Sequence, residues 1–483
     1  MSHSKTHRPP GADHVRRAKI LATMGPAMED PAVLERVFLA GADAFRINFS
    51  HGDHKQHGRY LGLIRAAAEK LGRPCSVLAD LMGPKIRVDG QTHLLVPGKR
   101  LALVPKPGRP AQGEVGISYP GLAALVGRGQ RILLDDGRLE LAVESVAGRR
   151  ILCRTIRGGT LKPNKSLNVP GVEIGLPILS PKDKKDLRFI ASAGFDWVAA
   201  SFIRNGEDVR RVKRYMHSLD FDAPLIAKVE NAQAVQRLRE IIEAAEGVMV
   251  ARGDLGVELD LEQIPTVQRN IVHLARELGK VTIIATQMLE TMTDSPRPTR
   301  AEVNDVSTAA LARVDALMLS GETAAGKYPV EAVAMMHRAI CATEKNLEEE
   351  ILSIAHPEPI ALTCEAGVYL SLIARAKAII TISTRGTTPR ILSTYRGNMP
   401  IVVACTHPRI FRRSCLYYSV VPLMIKPGDA PTGKRDSEAV FKQVEVRLKA
   451  RGLVRRGDVV VFVFGYPIHA RNQTNSIRRW EIG

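Results

Sequence analysis

The chain has no run of about 18 apolar residues, the length a helix needs to cross the hydrocarbon layer, so a helical membrane protein is excluded. Its six cysteines (Cys75, Cys153, Cys341, Cys364, Cys405, Cys415) are scattered, with no Cys-x-x-Cys pair. That spacing argues against a zinc site and a disulfide framework and fits a reducing cytoplasm. The opening MSHSKTHRPPGADHVRR is polar and basic and lacks the apolar core of a signal peptide. No long basic block accounts for the net charge of +19; the Lys and Arg residues are spread along the chain. With no recognisable nucleic-acid module, nucleic acid is set aside as the main partner, and a membrane surface or small anionic substrates are the other partners such a charge suits.

What is present is a globular composition on a chain of 483 residues, enough for two to four domains. Short apolar, β-rich runs alternate with helical periodicity: Ala18–Met24, Ala44–Phe49, Ser76–Leu81, Trp197–Phe202, Leu225–Val229, Val248–Ala251, Val281–Thr286 and Ala316–Leu319. Between them lie segments such as PAVLERVFLAGA, DVRRVKRYMHSL, AVQRLREIIEAAE and TVQRNIVHLARELGK. Eight strands alternating with helices predict a (β/α)8 barrel of the TIM type. The alternation breaks once, where RILLDDGRLELAVE and ESVAGRRILCR carry hairpin turns on Asp136-Gly137 and Ala147-Gly148. A small all-β lid domain is therefore expected over 88–175, between barrel segments 15–87 and 176–346. Residues 347–483, with runs such as AIITIST, IVVAC and VVVFVFG, form a C-terminal α/β domain.

In such barrels, polar residues at the C-terminal strand ends surround the mouth and carry the chemistry. The strand ends collect Arg46, Asn48, Ser50 and His51; Asp80 and Arg87; Lys228 and Glu230; Arg252 and Asp254; Thr286; and Ser320 and Glu322. Residues two apart on a strand share a face, so Arg46, Asn48 and Ser50 line one side, as do Lys228 and Glu230. Glu230 and Asp254, from neighbouring strands, are an oxygen-rich pair suited to Mg2+, which keeps waters and takes one or two carboxylates with substrate oxygens. Lys228 beside it could stabilise negative charge or move a proton. GDLG offers backbone N–H groups at an expected helix start, suited to an anion. Each piece alone has a plainer reading: a structural Arg-x-Asn pair, a Lys–Glu ion pair, a Gly turn, a capping histidine. Polar residues at six strand ends, five of them charged, together point to a ligand, and the set reads as a Mg2+-dependent enzyme acting on a small phosphorylated anion.

KILATMGPA, FRINFSHGDH, LADLMGPKIR, LNVPG, LSPKDKKDL, ASFIR, AKVEN, VMVARGDLGVE, IATQMLETM and PTRAEVNDVSTAALARVDALMLSGETAAGKYPVEAV resemble, in order, the conserved blocks of the pyruvate kinase family. The resemblance covers residues 18 to 483 and implies phosphoryl transfer between phosphoenolpyruvate and ADP, giving pyruvate and ATP. By position, Glu230 and Asp254 resemble the Mg2+ ligands, with Mn2+ a substitute metal. Lys228 resembles the lysine that neutralises the transferring phosphoryl group, and Arg46 the phosphate-binding arginine. Gly253 and Asp254 resemble the backbone donors to the substrate carboxylate. Thr286, through water, resembles the residue beside the enolate face that is protonated. Asn48, His51 and Arg87 resemble nucleotide-side contacts. The lid is implied to close over the mouth, bringing Lys165 to the phosphates, although Asn164 stands where lysine is often found. TISTRGTTPRIL resembles an effector-phosphate loop, with Ser383, Thr384, Arg385, Gly386, Thr387 and Thr388 as its residues and a sugar phosphate or AMP as the effector. A homotetramer is implied as well. The alternative reading is a carbon–carbon lyase on a related phosphoenolpyruvate- or pyruvate-binding barrel, which would need no lid or nucleotide contacts.

One segment departs from the family pattern. Most relatives that the resemblance brings in need K+, held by residues matching Asn48, Ser50 and Asp80 and by the carbonyl after the acid, here that of Leu81. Where they carry Glu, this chain has Lys85, and Leu81 and Met82 replace Thr and Lys. A tethered ammonium supplies the charge that K+ would bring near Asp80 and the phosphates, so K+ is expected to be dispensable and Mg2+ still required.

Overall fold

The computed structural model describes residues 15–106, 111, 113–348, 359–425, 437–466 and 474–483. Residues 1–14 of the basic opening lie outside these. Among the described residues no helix is long and apolar enough to cross a membrane.

The eight expected strands form a closed parallel barrel in sequential order: β1 Lys19–Thr23, β2 Ala44–Asn48, β3 Ser76–Asp80, β4 Trp197–Ala200, β5 Leu225–Val229, β6 Gly247–Ala251, β7 Val281–Ala285 and β8 Ala316–Leu319. β8 pairs back onto β1 to close it. Alternation sorts the side chains. Ile20, Ala22, Phe45, Val77 and Ala79 join the core under the helices, while Leu21, Ala44, Leu78, Ile226 and Met249 fill the barrel interior. Arg46 and Asn48 share parity with Ala44, Asp80 with Leu78, and Lys228 with Ile226. The interior thus changes from apolar to charged towards the C-terminal strand ends. Helices are closed by side-chain caps: Ser180 and Asp183, and Thr299 and Glu302, form reciprocal capping boxes, each worth about 1 kcal/mol. AVQRLREIIEAAE is two helices, Ala232–Gln236 and Leu238–Ala244, not one, because Arg237 leaves the helical region (φ −111°, ψ 29°).

Among the described residues the lid holds a seven-stranded sheet and a two-stranded one, His93–Leu95 with Gly159–Leu161, around its own apolar core of residues such as Val88, Leu103, Ile132, Leu141 and Ile151. Both expected hairpins are there, Arg131–Leu134 with Leu139–Ala147 and the latter with Arg150–Arg157. The sheet takes up the chain slightly before Val88, because Ile86–Arg87 already pairs with Ser166–Leu167. A bridge between Val88 and Ile117 brings its two edges together.

Among the described residues the C-terminal domain carries a five-stranded sheet with helices packed on it. Parallel strands Val420–Met424, Ile401–Cys405, Ala378–Ile382 and Val459–Phe464 are followed at the edge by antiparallel Ser476–Glu481, a strand the sequence pattern did not reveal. The domain docks on the N-terminal end of the barrel, opposite the mouth. Trp197 Nε1 donates to the Arg413 carbonyl (3.3 Å). Asp196 is held by Arg65 (2.6 Å) and Arg412 (2.8 Å), and Asp315 by Arg396 (2.5 Å).

Candidate active site

The charged strand ends meet at the barrel mouth around one buried carboxylate. Asp80 is 1% exposed; Arg46 Nε donates to its Oδ2 (2.7 Å) and Lys228 Nζ lies 3.3 Å from its Oδ1. Burial alone would raise this carboxyl, but Lys228 and Arg46 reverse the effect and hold it below the usual carboxylate range. Lys228 also pairs with Glu230 (2.7 Å) and donates to Ser201 Oγ (2.7 Å). Burial works to strip its proton; the charges of Asp80, Glu230 and Asp254 outweigh this and raise its pKa. Lys228 is therefore held as an ammonium among these carboxylates.

Glu230, 1% exposed, accepts from the Phe202 N–H (2.7 Å). Burial pushes its carboxyl up, Lys228 pulls it down and Asp254 pushes it up again, leaving it raised. Asp254 adds its negative charge to the burial of Glu230, a strain that a divalent cation would relieve, so these residues fit Mg2+. Among the described residues no group of three or more His, Cys, Asp or Glu gathers.

Lys85 does not sit at Asp80, where the sequence suggested its charge would act. Its Nζ is 3.4 Å from Asp254 Oδ1 and 5.0 Å from the centre of the Phe202 ring. The reason is the turn after β3: Gly83 (φ +70°) and Pro84 swing the chain off the strand axis, so Asp80 is left to Arg46 and Lys228. Lys85 still belongs to the mouth. The His51 imidazole is held below its ordinary pKa by burial and by Arg87, Arg46, Lys85 and Lys165, four cations drawn from barrel and lid. On the lid side Arg87 donates to the Asn164 carbonyl (2.9 Å) and Lys165 pairs with Asp135 (2.7 Å). Asn48 faces Asp80 across the β2–β3 pairing, and its Oδ1 accepts from the Ser50 N–H (3.0 Å). Leu81 is buried.

Three expectations need correction. The Gly253 N–H is not free: it donates to Thr286 Oγ1 (2.8 Å), whose hydroxyl donates to the Ala285 carbonyl (2.6 Å). Thr286 is held with φ +69°, a strained region for a β-branched residue, and so reaches the GDLG turn. Arg252 turns away from the mouth, to Asp305 (2.5 Å) and the Thr286 carbonyl (2.6 Å). Glu322 is fully buried and accepts from the N–H groups of Leu289 (3.1 Å) and Ser320 (2.7 Å), which is a structural role.

Two residues at the site were missed. Ser201 and Phe202 follow β4, the one strand in the mid-barrel whose end was not read for polar groups; applying the strand-end rule there would have found Ser201. Its Oγ accepts from Lys228 and donates to the Leu81 carbonyl (2.8 Å). In the C-terminal domain, Ser383 Oγ accepts from the Gly386 N–H (2.9 Å), and Thr388 shares a hydroxyl contact with Thr474 (2.8 Å). Gly386 has φ +85° and caps helix Thr387–Thr394, while Thr384 and Arg385 are exposed.

Comparison with known proteins agrees along the whole architecture. The family model "Pyruvate kinase, barrel domain" matches residues 15–333, and "Pyruvate kinase, alpha/beta domain" matches residues 362–478. Among curated relatives, pyruvate kinase 2 of Synechocystis sp. is 41% identical over 463 residues, covering 93% of this chain and 76% of that protein. The pyruvate kinase of Geobacillus stearothermophilus is 38% identical, covering 96% and 80%. That of Mycobacterium tuberculosis is 37% identical, covering 97% and 99%. With a closed eight-stranded barrel, a charged mouth and an α/β domain in this order, the chain belongs to the pyruvate kinase family and is a phosphotransferase.

Proposed function

We propose that the enzyme transfers the phosphoryl group of phosphoenolpyruvate to ADP, with Mg2+ required and K+ dispensable. The observation that carries this reading is the mouth itself, where Asp80, Arg46, Lys228 and Glu230 interlock and Lys85 adds a further ammonium beside Asp254. Glu230 and Asp254 would hold Mg2+, which when bound neutralises phosphate and carboxylate charge; Mn2+ would serve in its place. Arg46 and Lys228 bind the phosphoryl oxygens and orient them, and Asp80 locks both cations in place. The P–O bond to the enolate oxygen breaks as a bond to a β-phosphate oxygen of ADP forms. Positioning and charge carry this step, not covalent chemistry. The enolate carbon then takes a proton. Thr286, which stands at the mouth against the Gly253 N–H, is the donor of that proton through water. His51, Arg87, Asn48 and Lys165 form the nucleotide side of the mouth, and the lid that carries Lys165 excludes water on closing.

Two further features complete the reading. The loop Ser383–Thr388 takes a sugar phosphate or AMP as effector. A cavity of about 270 Å3 next to Arg385 and Gly386, shared with Lys213, His217 and Arg413, supports it. The chain assembles as a homotetramer, supported by the exposed stripe Leu362, Tyr369 and Ile373 on helix Ala361–Ile373 and by the edge strand Ser476–Glu481. The direct test follows pyruvate and ATP from phosphoenolpyruvate, ADP and Mg2+; absence of either product overturns the reading. Activation at subsaturating phosphoenolpyruvate that survives Arg385→Ala, or no response to any sugar phosphate or AMP, removes the effector. A sedimenting monomer removes the tetramer.

A further inference from the structure

A lysine is a poor substitute for a bound ion unless something holds its head still, because four rotatable bonds separate the ammonium from the backbone. Among the described residues the Lys85 ammonium meets Asp254 Oδ1 at 3.4 Å and the face of Phe202 at 5.0 Å. Asp254 cannot be the permanent holder if it serves the divalent cation. The ring can: its face is electrically negative but carries no lone pair that Mg2+ would take, and the attraction persists whether or not Asp254 is engaged.

Phe202 is itself fixed from two sides. Its backbone is left-handed (φ +58°), and its N–H donates to Glu230 Oε2 at 2.7 Å, which ties the ring's position to the other metal-side carboxylate. Against it packs the turn that carries Lys85. A Cβ on Gly83 would stand 2.9 Å from the Ser201 carbonyl oxygen and 3.1 Å from Phe202 Cδ2, and Gly83 has φ +70°. Only glycine lets the turn sit this close and conform this way. Lys85, two residues on, is thereby delivered over the ring, and its side chain is only 24% exposed.

We propose that Phe202 is the positioning residue for Lys85: a cation–π platform that keeps the ammonium in place when Asp254 is taken up by the divalent cation, and so makes the built-in cation effective without K+. This rests on the reading that Lys85 replaces K+.

The test uses the full-length enzyme and compares Phe202→Leu, Phe202→Tyr and Lys85→Glu with the parent in tetramethylammonium and in K+. Leucine is unbranched at Cβ like phenylalanine, so it tolerates the left-handed backbone equally while removing the ring face. Phe202→Leu is expected to become K+-activated by about 3- to 10-fold, the range a lost cation–π contact of this kind supplies, while Phe202→Tyr stays K+-independent. A second readout needs no turnover: Mn2+ affinity, followed by electron paramagnetic resonance, should depend on K+ in Phe202→Leu and not in the parent or Phe202→Tyr. If Phe202→Leu folds, by circular dichroism and thermal melt, and neither rate nor Mn2+ affinity responds to K+ while Lys85→Glu does respond, the platform role is overturned and the replacement reading stands. If Lys85→Glu responds no more than the parent, the replacement reading fails and this inference with it. Should Phe202→Leu not fold, Phe202→Met takes its place under the same criteria.

Discussion

The two ends of the barrel use the same residue types for opposite purposes. At the N-terminal end, Asp315 is 1% exposed and accepts from Arg396 through both oxygens (2.8 and 2.5 Å), from the Thr282 N–H (2.9 Å) and from the Tyr418 N–H (2.9 Å). Charge is closed there; the carboxylate has as many partners as it can use, and the pair staples the C-terminal domain to the barrel. At the mouth, Asp80 is just as buried, but its partners Arg46 and Lys228 are themselves shared, and Lys228 serves Glu230 and Ser201 as well. Around this cluster stand further cations, Lys85, Arg87 and Lys165, that lower the neighbouring His51. A closed ion pair stabilises; an open cluster with surplus positive charge awaits an anion.

Substitutions at the two ends should separate these purposes. On the proposed mechanism, Lys228→Met removes an ammonium from the phosphoryl path. A loss of about 10^3-fold or more in kcat/KM is expected, the scale of a removed transition-state charge contact. The enzyme should remain folded, with a lowered thermal midpoint, because Arg46 still holds Asp80 and the Phe202 N–H still serves Glu230, although Glu230 loses its cation. At the other end Asp315→Ala strands a buried guanidinium, Arg396, also 1% exposed, and is expected to cost about 3–5 kcal/mol in denaturant unfolding. The enzyme that remains folded should keep kcat/KM within about twofold, as expected of a site remote from the chemistry. Equal damage to activity from both variants would erase the distinction.

The smallest expected effect is in pH. His337 lies at the closed end, its Nδ1 2.7 Å from Arg16, and burial with that guanidinium lowers its pKa to about 4. Above pH 6.5, the ordinary value, it is neutral both folded and unfolded and contributes nothing. As pH falls from 6.5 towards 4 the unfolded chain takes up a proton that the folded chain refuses, so stability declines across that window and levels off below it. After allowance for partial exposure the loss is on the order of 1 kcal/mol. His337→Gln should flatten this part of the stability–pH curve; an unchanged slope would show that the proton is taken up elsewhere.

Most of this architecture was legible before any coordinates. Eight apolar runs with strict alternation become β1 to β8, and Asp136-Gly137 and Gly148 turn the lid hairpins, because burial and turn geometry are local demands that residues announce. The site was legible as far as the alternation runs: Arg46, Asp80, Lys228 and Glu230 meet because parity on a strand fixes the side they face. Beyond the strand ends that rule stops. Gly83 and Pro84 redirect the chain, so Lys85 meets Asp254 and Phe202 instead of Asp80. Thr286 adopts a backbone conformation its residue type disfavours, and only the packed structure shows that it takes the Gly253 N–H. Arg252 and Glu322 occupy strand ends yet serve backbone carbonyls and N–H groups, a distinction that requires knowing where each side chain points. Strand Ser476–Glu481 was hidden because SIRRWE is mostly polar at a sheet edge, where alternation has only one apolar side to report.

The decisive measurement is the rate of pyruvate and ATP formation by the purified full-length enzyme with Mg2+, in tetramethylammonium and in K+ at equal ionic strength. With Lys85 built into the mouth, the two rates are expected to agree within about twofold, since an ammonium fixed near the carboxylate pair supplies the charge that a monovalent ion would bring. Strong activation by K+ would contradict it and return Lys85 to the role of an ordinary ion pair with Asp254.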